Sequence, residues 1–141
     1  MADQDSTRNE NTNIEHSRQT LRRSFGNAWA GIIVCVIEER NIKIHCIAAV
    51  LVVIFGLILD ISMTEWYICF TLFGLIMGLE LVNTAVESVV DLVTEEWQPL
   101  AKRAKDCAAG AVFISSIWAA ATGGTIFFPK LYHFIVELFS K

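Results

Sequence analysis

The chain has 141 residues, of which 54% are hydrophobic and 18% charged, and its formal net charge is -4. Residues 46–59, 66–79 and 107–129 contain no charged side chain, and so small a water-soluble domain cannot bury three such stretches. We therefore expect an integral membrane protein. No basic stripe suggests nucleic-acid binding, and the four separated cysteines predict neither a disulfide framework nor a zinc site.

The N-terminal region divides into a polar part and an amphipathic part. Residues 1–20 are polar and lack hydrophobic periodicity, which predicts a disordered tail. They also lack the apolar core of a signal peptide, so we expect insertion through the internal helices. Apolar residues at helical spacing then predict an amphipathic helix over 24–43 in the membrane interface. The alternative is a helix that packs on a soluble partner.

Three spanning helices are predicted after this segment. About 20 helical residues cross a hydrocarbon core of roughly 30 Å, which sets the expected length. The first span covers 44–63, the second 66–93, and the third 107–128, where Pro129 is expected to end it. Residues 131–141 form an amphipathic C-terminal tail that is expected to lie along the membrane surface.

The distribution of Lys and Arg predicts the orientation. Cations flank the first span on its N-terminal side and fill the loop between the second and third spans, whereas the turn after the first span has none. Cytoplasmic loops carry the excess of Lys and Arg. The N-terminus and the second loop are therefore expected on the cytoplasmic side, and the C-terminus outside.

Four polar residues interrupt the second span at i, i+3, i+7 and i+11: Glu80, Asn83, Glu87 and Asp91. They fall within a sector of about 80° and extend along roughly 16 Å of one helix face. We call this set the acidic stripe. Ionised carboxylates are costly in hydrocarbon, so they face a protein interior or a water-filled site and indicate function.

Other interpretations of the acidic stripe stay open at this level. Polar side chains can join helices by hydrogen bonds, although three acids and an amide exceed what adhesion requires. Asp91 by itself can reach the interface. A non-enzymatic ion or proton channel lined by the stripe, or a purely structural scaffold, is a further alternative.

The acidic stripe approaches the basic segment that contains Lys102, Arg103 and Lys105, at the depth of Glu39. Mg²⁺ prefers oxygen ligands and is usually held by one or two carboxylates together with substrate phosphates. Lysine binds phosphate as a point charge. The residues therefore predict a metal–nucleotide site, and the absence of Walker A and protein-kinase motifs makes it one of another type.

Three spans make a thin bundle that could hardly enclose a charged site alone. We therefore expect a homo-oligomer with the site at a subunit interface. Gly74 and Gly78 have the GxxxG spacing that lets transmembrane helices approach closely, although this motif is weak by itself.

Two segments, GLELVNTAVESVVDLV (78–93) and PLAKRAKDCAAGAV (99–112), resemble the prokaryotic diacylglycerol kinase family. The family signature E-x-x-N-[ST]-A-[IV]-E-x-x-V-D, followed by A-K-D, is complete in this chain. The stretch 28–45 also matches, and the resemblance covers 24–130. The matching signature residues are Glu80, Asn83, Thr84, Ala85, Val86, Glu87, Val90, Asp91, Ala104, Lys105 and Asp106.

The resemblance implies an all-α homotrimer with shared active sites, in which each subunit has three spanning helices and an amphipathic surface helix. It implies transfer of the γ-phosphate of MgATP to a lipid alcohol, with Glu80 as general base and with Glu39 and Glu87 as Mg²⁺ ligands. Asn83 and Asp91 would support the site. The implied nucleotide-binding residues are Asn27, Glu39, Glu87, Glu96, Trp97, Gln98, Lys105 and Asp106.

The chain departs from the family pattern at Gln98, where His is common, and at Asn27, where an aromatic residue is common. The stretches ERNIKIH (39–45), LELVNTA (79–85) and FFPKL (127–131) resemble the Gram-positive type, which is similar to undecaprenol kinases. We therefore expect undecaprenol as acceptor, with diacylglycerol as the alternative. The resemblance implies a bacterial, multi-pass cell-membrane protein whose partners are ATP, the lipid and the bilayer.

Overall fold

A computed structural model describes the backbone of residues 2–94 and 96–140, and side-chain environments from Thr20 onward. Within these ranges the chain is all-helical. The helices are α1 (Ala2–Glu38), α2 (Arg40–Ile58), α3 (Met63–Val93) and α4 (Pro99–Phe139). Helix α1 forms one unit, and the chain from Glu39 onward forms a second. Helices α2, α3 and α4 are long and apolar enough to cross a membrane, as the sequence predicts.

Helix α1 differs from the predicted elements at both ends. Residues 2–20, expected as a disordered tail, are helical in the structure, and Met1 lies outside the described residues. A helix satisfies its own backbone hydrogen bonds, and Gln, Glu and Arg are good helix formers, so a polar sequence does not by itself prevent helix formation. The helix ends at Glu38 rather than at Lys43, because Glu39 is extended, with φ -83° and ψ 124°.

Helix α2 begins and ends earlier than the predicted span 44–63. Its C-terminus is closed by Asp60, which has φ 48°, and by a hydrogen bond from the Ile61 N–H to the Gly56 carbonyl. A left-handed residue followed by this bond is a Schellman motif, and Asp tolerates the left-handed region better than most residues. This local geometry ends α2 at Ile58.

Helix α3 begins with a capping box. The Ser62 hydroxyl accepts a hydrogen bond from the Glu65 N–H, and the Glu65 carboxylate accepts one from the Ser62 N–H. The start of α3 lies against the end of α2. An added Cβ on Gly56 would come within 2.6 Å of the Trp66 ring, so only glycine fits this approach.

Helix α4 is longer than the predicted third span. The sequence predicts a loop over 94–106, but in the structure only the short stretch between Val93 and Pro99 connects the two helices. Pro99 begins α4, because the first turn of a helix does not use the backbone N–H that proline lacks. Pro129 does not end the helix, and residues 131–139 continue it. Membrane helices tolerate proline when nearby groups compensate for the lost hydrogen bond.

The interior of the second unit is small, and α3 lies at its centre. Helix α3 packs extensively on α4 and less extensively on α2. Most large apolar side chains of the three long helices are exposed within the single chain, as expected for helices surrounded by lipid or by further subunits. The buried residues are Ile42, Gly56, Ile61, Ile76, Glu80, Asn83, Val112 and Ile126.

Candidate active site

The acidic stripe lies on the inward face of α3. Glu80 is 2% exposed and Asn83 is 7% exposed, on the same face as the buried Ile76. Glu87 is half-buried, and Asp91 is exposed near the end of the helix. Glu80 is thus buried already within the single chain, whereas the remaining carboxylates of the stripe are not.

The buried carboxylate of Glu80 meets a histidine from the neighbouring helix. His45 Nε2 of α2 lies 3.1 Å from Glu80 Oε1. The N–H does not point at the oxygen closely enough to make a hydrogen bond, so Oε1 is without a donor among the described residues. The 3.1 Å separation is within hydrogen-bonding distance, so a rotation of the imidazole that aligns the N–H would complete the bond.

Asn83 and Glu87 form a hydrogen-bonded pair one turn apart. Asn83 Nδ2 donates to Glu87 Oε1 at 2.9 Å, which orients both side chains. Asn83 Oδ1 is buried and has no donor among the described residues. Glu80 Oε1 and Asn83 Oδ1 are therefore two inward oxygen atoms whose hydrogen-bonding capacity is unused. A buried acceptor without a donor is costly, and a bound group commonly explains it.

A cavity of about 460 Å³ lies where α3 passes into α4. Lys105 Nζ lies 2.6 Å from Asp91 Oδ1 across the two helices, and Lys102 pairs with Asp106 one turn away along α4. Both lysines are thus placed beside an open polar space. The cavity is lined by Val90, Asp91, Thr94, Glu96, Trp97, Gln98, Ala101, Lys102, Lys105 and Asp106.

The connection between α3 and α4 is held by the Thr94 side chain, which bonds to the backbone of Glu96. The Glu96 N–H donates to Thr94 Oγ1, and Gln98 caps α4 without a side-chain hydrogen bond to it. The Trp97 side chain is 75% exposed. These residues present an aromatic ring and an amide beside the cavity, which suits contact with a planar, polar ligand.

The structure brings together most but not all of the residues singled out from the sequence. Asp91, Lys105, Asp106 and the stretch 96–98 line one cavity, and the other residues of the stripe extend from it along α3. Glu39 is half-buried at the start of α2, and its side chain does not cap that helix. Asn27 is exposed on α1, which is a separate unit.

Among the described residues, no three His, Cys, Asp or Glu side chains are grouped closely enough to hold a metal ion. The protein therefore presents no complete metal cage there. The half-buried carboxylates of Glu39 and Glu87 are nevertheless hard oxygen donors, which fit Mg²⁺ when phosphates supply the remaining ligands.

Sequence reasoning missed His45. Its signal was present: His45 follows the buried Ile42 by three residues, so both share one face of α2. A histidine on the inward face of an apolar helix needs a polar partner, and the inward acids of α3 are the candidates.

Comparison with known proteins identifies the class. A model of the family described as prokaryotic diacylglycerol kinase matches residues 26–127. Undecaprenol kinase of Bacillus subtilis is 46% identical over 109 residues, which are 77% of this chain and 89% of that protein. Diacylglycerol kinase of Synechocystis is 41% identical over 80% of this chain and 65% of its own length. Diacylglycerol kinase of Escherichia coli K12 is 31% identical over 71% and 82%.

The family and these relatives make the chain a lipid kinase, and its three candidate membrane spans fit that class. The chain belongs to the prokaryotic diacylglycerol kinase family. The complete family signature found in the sequence agrees with this assignment.

Proposed function

We propose that this enzyme transfers the γ-phosphate of ATP to undecaprenol, giving undecaprenyl phosphate. The observation that carries the choice of lipid is the 46% identity to the undecaprenol kinase of Bacillus subtilis over 89% of that protein. Diacylglycerol is the second candidate acceptor, because the Synechocystis diacylglycerol kinase is 41% identical. Both acceptors offer a primary hydroxyl at the membrane interface, so the chemistry below applies to either.

Glu80 is proposed as the general base that takes the proton of the acceptor hydroxyl. An alcohol is a weak nucleophile at neutral pH, and a positioned base assists its attack on phosphorus. Glu80 is supported as the base by its burial on the inward face of α3, where the side chain is 2% exposed. The alcohol O–H bond breaks as its oxygen bonds to the γ-phosphorus, and ADP leaves with the former bridging oxygen.

The cavity between α3 and α4 is proposed as the nucleotide site. Lys105 faces it as a phosphate-binding cation, and Trp97 offers a ring for the base. Glu96, Gln98 and Asp106 complete the contacts, with Asp91 holding Lys105. We also assign Asn27 of α1 to nucleotide binding, from the family resemblance alone.

Glu39 and Glu87 are proposed as the Mg²⁺ ligands. Asn83 supports Glu87 by a hydrogen bond to Oε1, which leaves Oε2 for the ion. When bound, Mg²⁺ neutralises charge on the phosphates. Glu87 lies seven residues from Glu80, about 10 Å along the helix, so the phosphate chain would extend from the cavity toward the base.

The proposed placement in the cell membrane follows the charges at the helix ends. Arg40, Lys43 and the cations of 102–105 lie at one end of the second unit's spans, whereas Lys130, paired with Glu65, lies at the other. The positive-inside rule assigns the first end, with the N-terminus, to the cytoplasm, where ATP is available. The exposed Phe25 and Trp29 of α1 suit an amphipathic helix in the interface.

A homotrimer with shared active sites is proposed for the assembly. An added Cβ at Gly74 or Gly78 would meet nothing within 4 Å, so this GxxxG face is not used within the single chain. Close helix contacts between subunits are one use of such a face. Glu80 and Lys105 belong to the packed pair α3 and α4 of one chain, whereas Glu39 lies at the start of α2. Mixing Glu39→Ala subunits with Glu80→Gln subunits therefore tests shared sites: restored turnover supports them, and strictly additive loss contradicts them.

The first experiment measures phosphate transfer from labelled MgATP in mixed micelles that contain undecaprenol and diacylglycerol as competing acceptors. Preferential labelling of undecaprenol supports the proposal. Preferential labelling of diacylglycerol refutes the choice of lipid and leaves the mechanism intact. Labelling of neither by folded protein refutes the assignment of both acceptors.

A further inference from the structure

His45 belongs to the inward seam of α2. Buried and half-buried residues recur there at alternating spacings of three and four, and His45 is the only one of the five that is basic. A polar group on such a seam is costly unless a partner satisfies it. The seam consists of Ile42, His45, Ala49, Val52 and Gly56.

The partner of His45 is Glu80 on α3. The distance from Nε2 to Oε1 is 3.1 Å, and the two side chains are 20% and 3% exposed. On α3 itself, Asn83 Nδ2 donates to Glu87 Oε1 and not to Glu80. Among the described residues, His45 is the only Lys, Arg or His side chain within ion-pair distance of Glu80.

We propose that His45 is a positioning residue for Glu80: its imidazole lies 3.1 Å from Oε1 and turns its N–H onto that oxygen, so that Oε2 faces the acceptor hydroxyl. This inference rests on the proposed role of Glu80 as general base. His45 acts through Glu80 and does not touch the substrate. A carboxylate has two equivalent oxygens and a rotatable stem, so a donor from a second helix fixes which oxygen is used. Misplacement of a reacting group by about 1 Å can cost roughly 100-fold in rate.

The kinetic test compares His45→Leu, which removes the donor, with His45→Gln, which keeps an N–H on a side chain of similar reach. We expect His45→Leu to lower kcat by roughly 10- to 100-fold while KM for ATP stays within about twofold. His45→Gln should recover most of the lost kcat. His133→Leu, on the exposed end of α4, is the matched control and should behave as wild type.

Two kinetic results overturn the proposal. One is a His45→Leu enzyme with wild-type kcat. The other is an equal loss of kcat in the Leu and Gln variants, because a donor would then make no difference. If His45 had a purely structural role, its substitution would lower the amount of folded enzyme. It would not lower kcat of the folded enzyme while KM for ATP stayed the same.

Nitrogen chemical shifts of the histidine side chains in the full-length protein give a readout that does not depend on activity. We expect Glu80→Ala to shift the Nε2 resonance of His45 and to leave that of His133 unchanged. An unchanged His45 resonance overturns the positioning contact, whether or not the His45→Leu variant folds. If the resonance shifts but Glu80→Gln turns over normally, the base assignment fails while the contact between the two residues stands.

Discussion

Lys105 of α4 and Asp91 of α3 form an ion pair across the mouth of the cavity, with Nζ 2.6 Å from Oδ1. The Asp91 side chain is 64% exposed, and pairs of this kind contribute only about 0–1 kcal/mol. Exchange of Asp91 for a phosphate oxygen therefore costs little. The pair keeps Lys105 at the cavity, where it is available for the proposed binding of a nucleotide phosphate.

Replacement of Lys105 by Met is expected to raise KM for ATP by roughly 10- to 100-fold. This is the loss in affinity expected when one hydrogen bond to a charged group is removed. Folding should be little affected, because Asp91 stays solvated. Steady-state kinetics at varied ATP concentration measure this. Lys130→Met is the matched control, since Lys130 also pairs with a carboxylate of α3, that of Glu65, but far from the cavity along α4. Equal KM values for the two variants would refute Lys105 as a nucleotide contact.

Glu80→Gln is expected to lower kcat by about 100- to 10,000-fold, the usual contribution of a general base. The amide fills the same space and can still meet His45, so folding and ATP binding should persist. Single-turnover phosphate transfer and an equilibrium nucleotide-binding assay separate these effects. Glu137→Gln, on the exposed end of α4, serves as the control. Normal turnover by the Glu80 variant would remove it as the base.

Loss of either proposed metal ligand is expected to weaken Mg²⁺-dependent nucleotide binding. Glu87→Ala removes the carboxylate that Asn83 orients, and Glu39→Ala removes the half-buried one at the start of α2. Titration of Mg²⁺ at fixed ATP should show a higher half-saturation point for both. Glu38→Ala provides an exposed neighbour for comparison. If a variant keeps the wild-type half-saturation point for Mg²⁺, the substituted residue is not a Mg²⁺ ligand.

Gly56→Ala is expected to destabilise the fold by about 1–3 kcal/mol, the usual cost of overpacking. The new Cβ would lie 2.6 Å from the Trp66 ring, at the closest approach of α2 to α3. Helix propensity opposes this effect by about 1 kcal/mol. Gly123→Ala has open space around its Cβ and should be neutral or stabilising. The free energy of unfolding of both variants is measured in micelles. Equal stability of the two variants would contradict the close approach of Gly56 to the Trp66 ring.

The sequence predicted the helical class, the three spans and the inward acidic stripe, because hydrophobic runs and i, i+3, i+7 spacing act locally. It misplaced the ends of the elements. The Asp60 turn ends α2 earlier than its hydropathy suggests, and α4 continues through Pro129. Hydropathy records the solvent around a helix, whereas helix ends depend on individual backbone hydrogen bonds.

The sequence by itself determined the family and the residue types of the site, since a carboxylate inside a membrane span is costly enough to indicate function wherever it occurs. Only the tertiary structure decided which of these residues meet. It paired His45 with Glu80 across two helices, and Lys105 with Asp91 across another two. Such pairs depend on the rotation and register of one helix against another. These are determined jointly by the side-chain contacts along the whole interface, and no local sequence pattern encodes them.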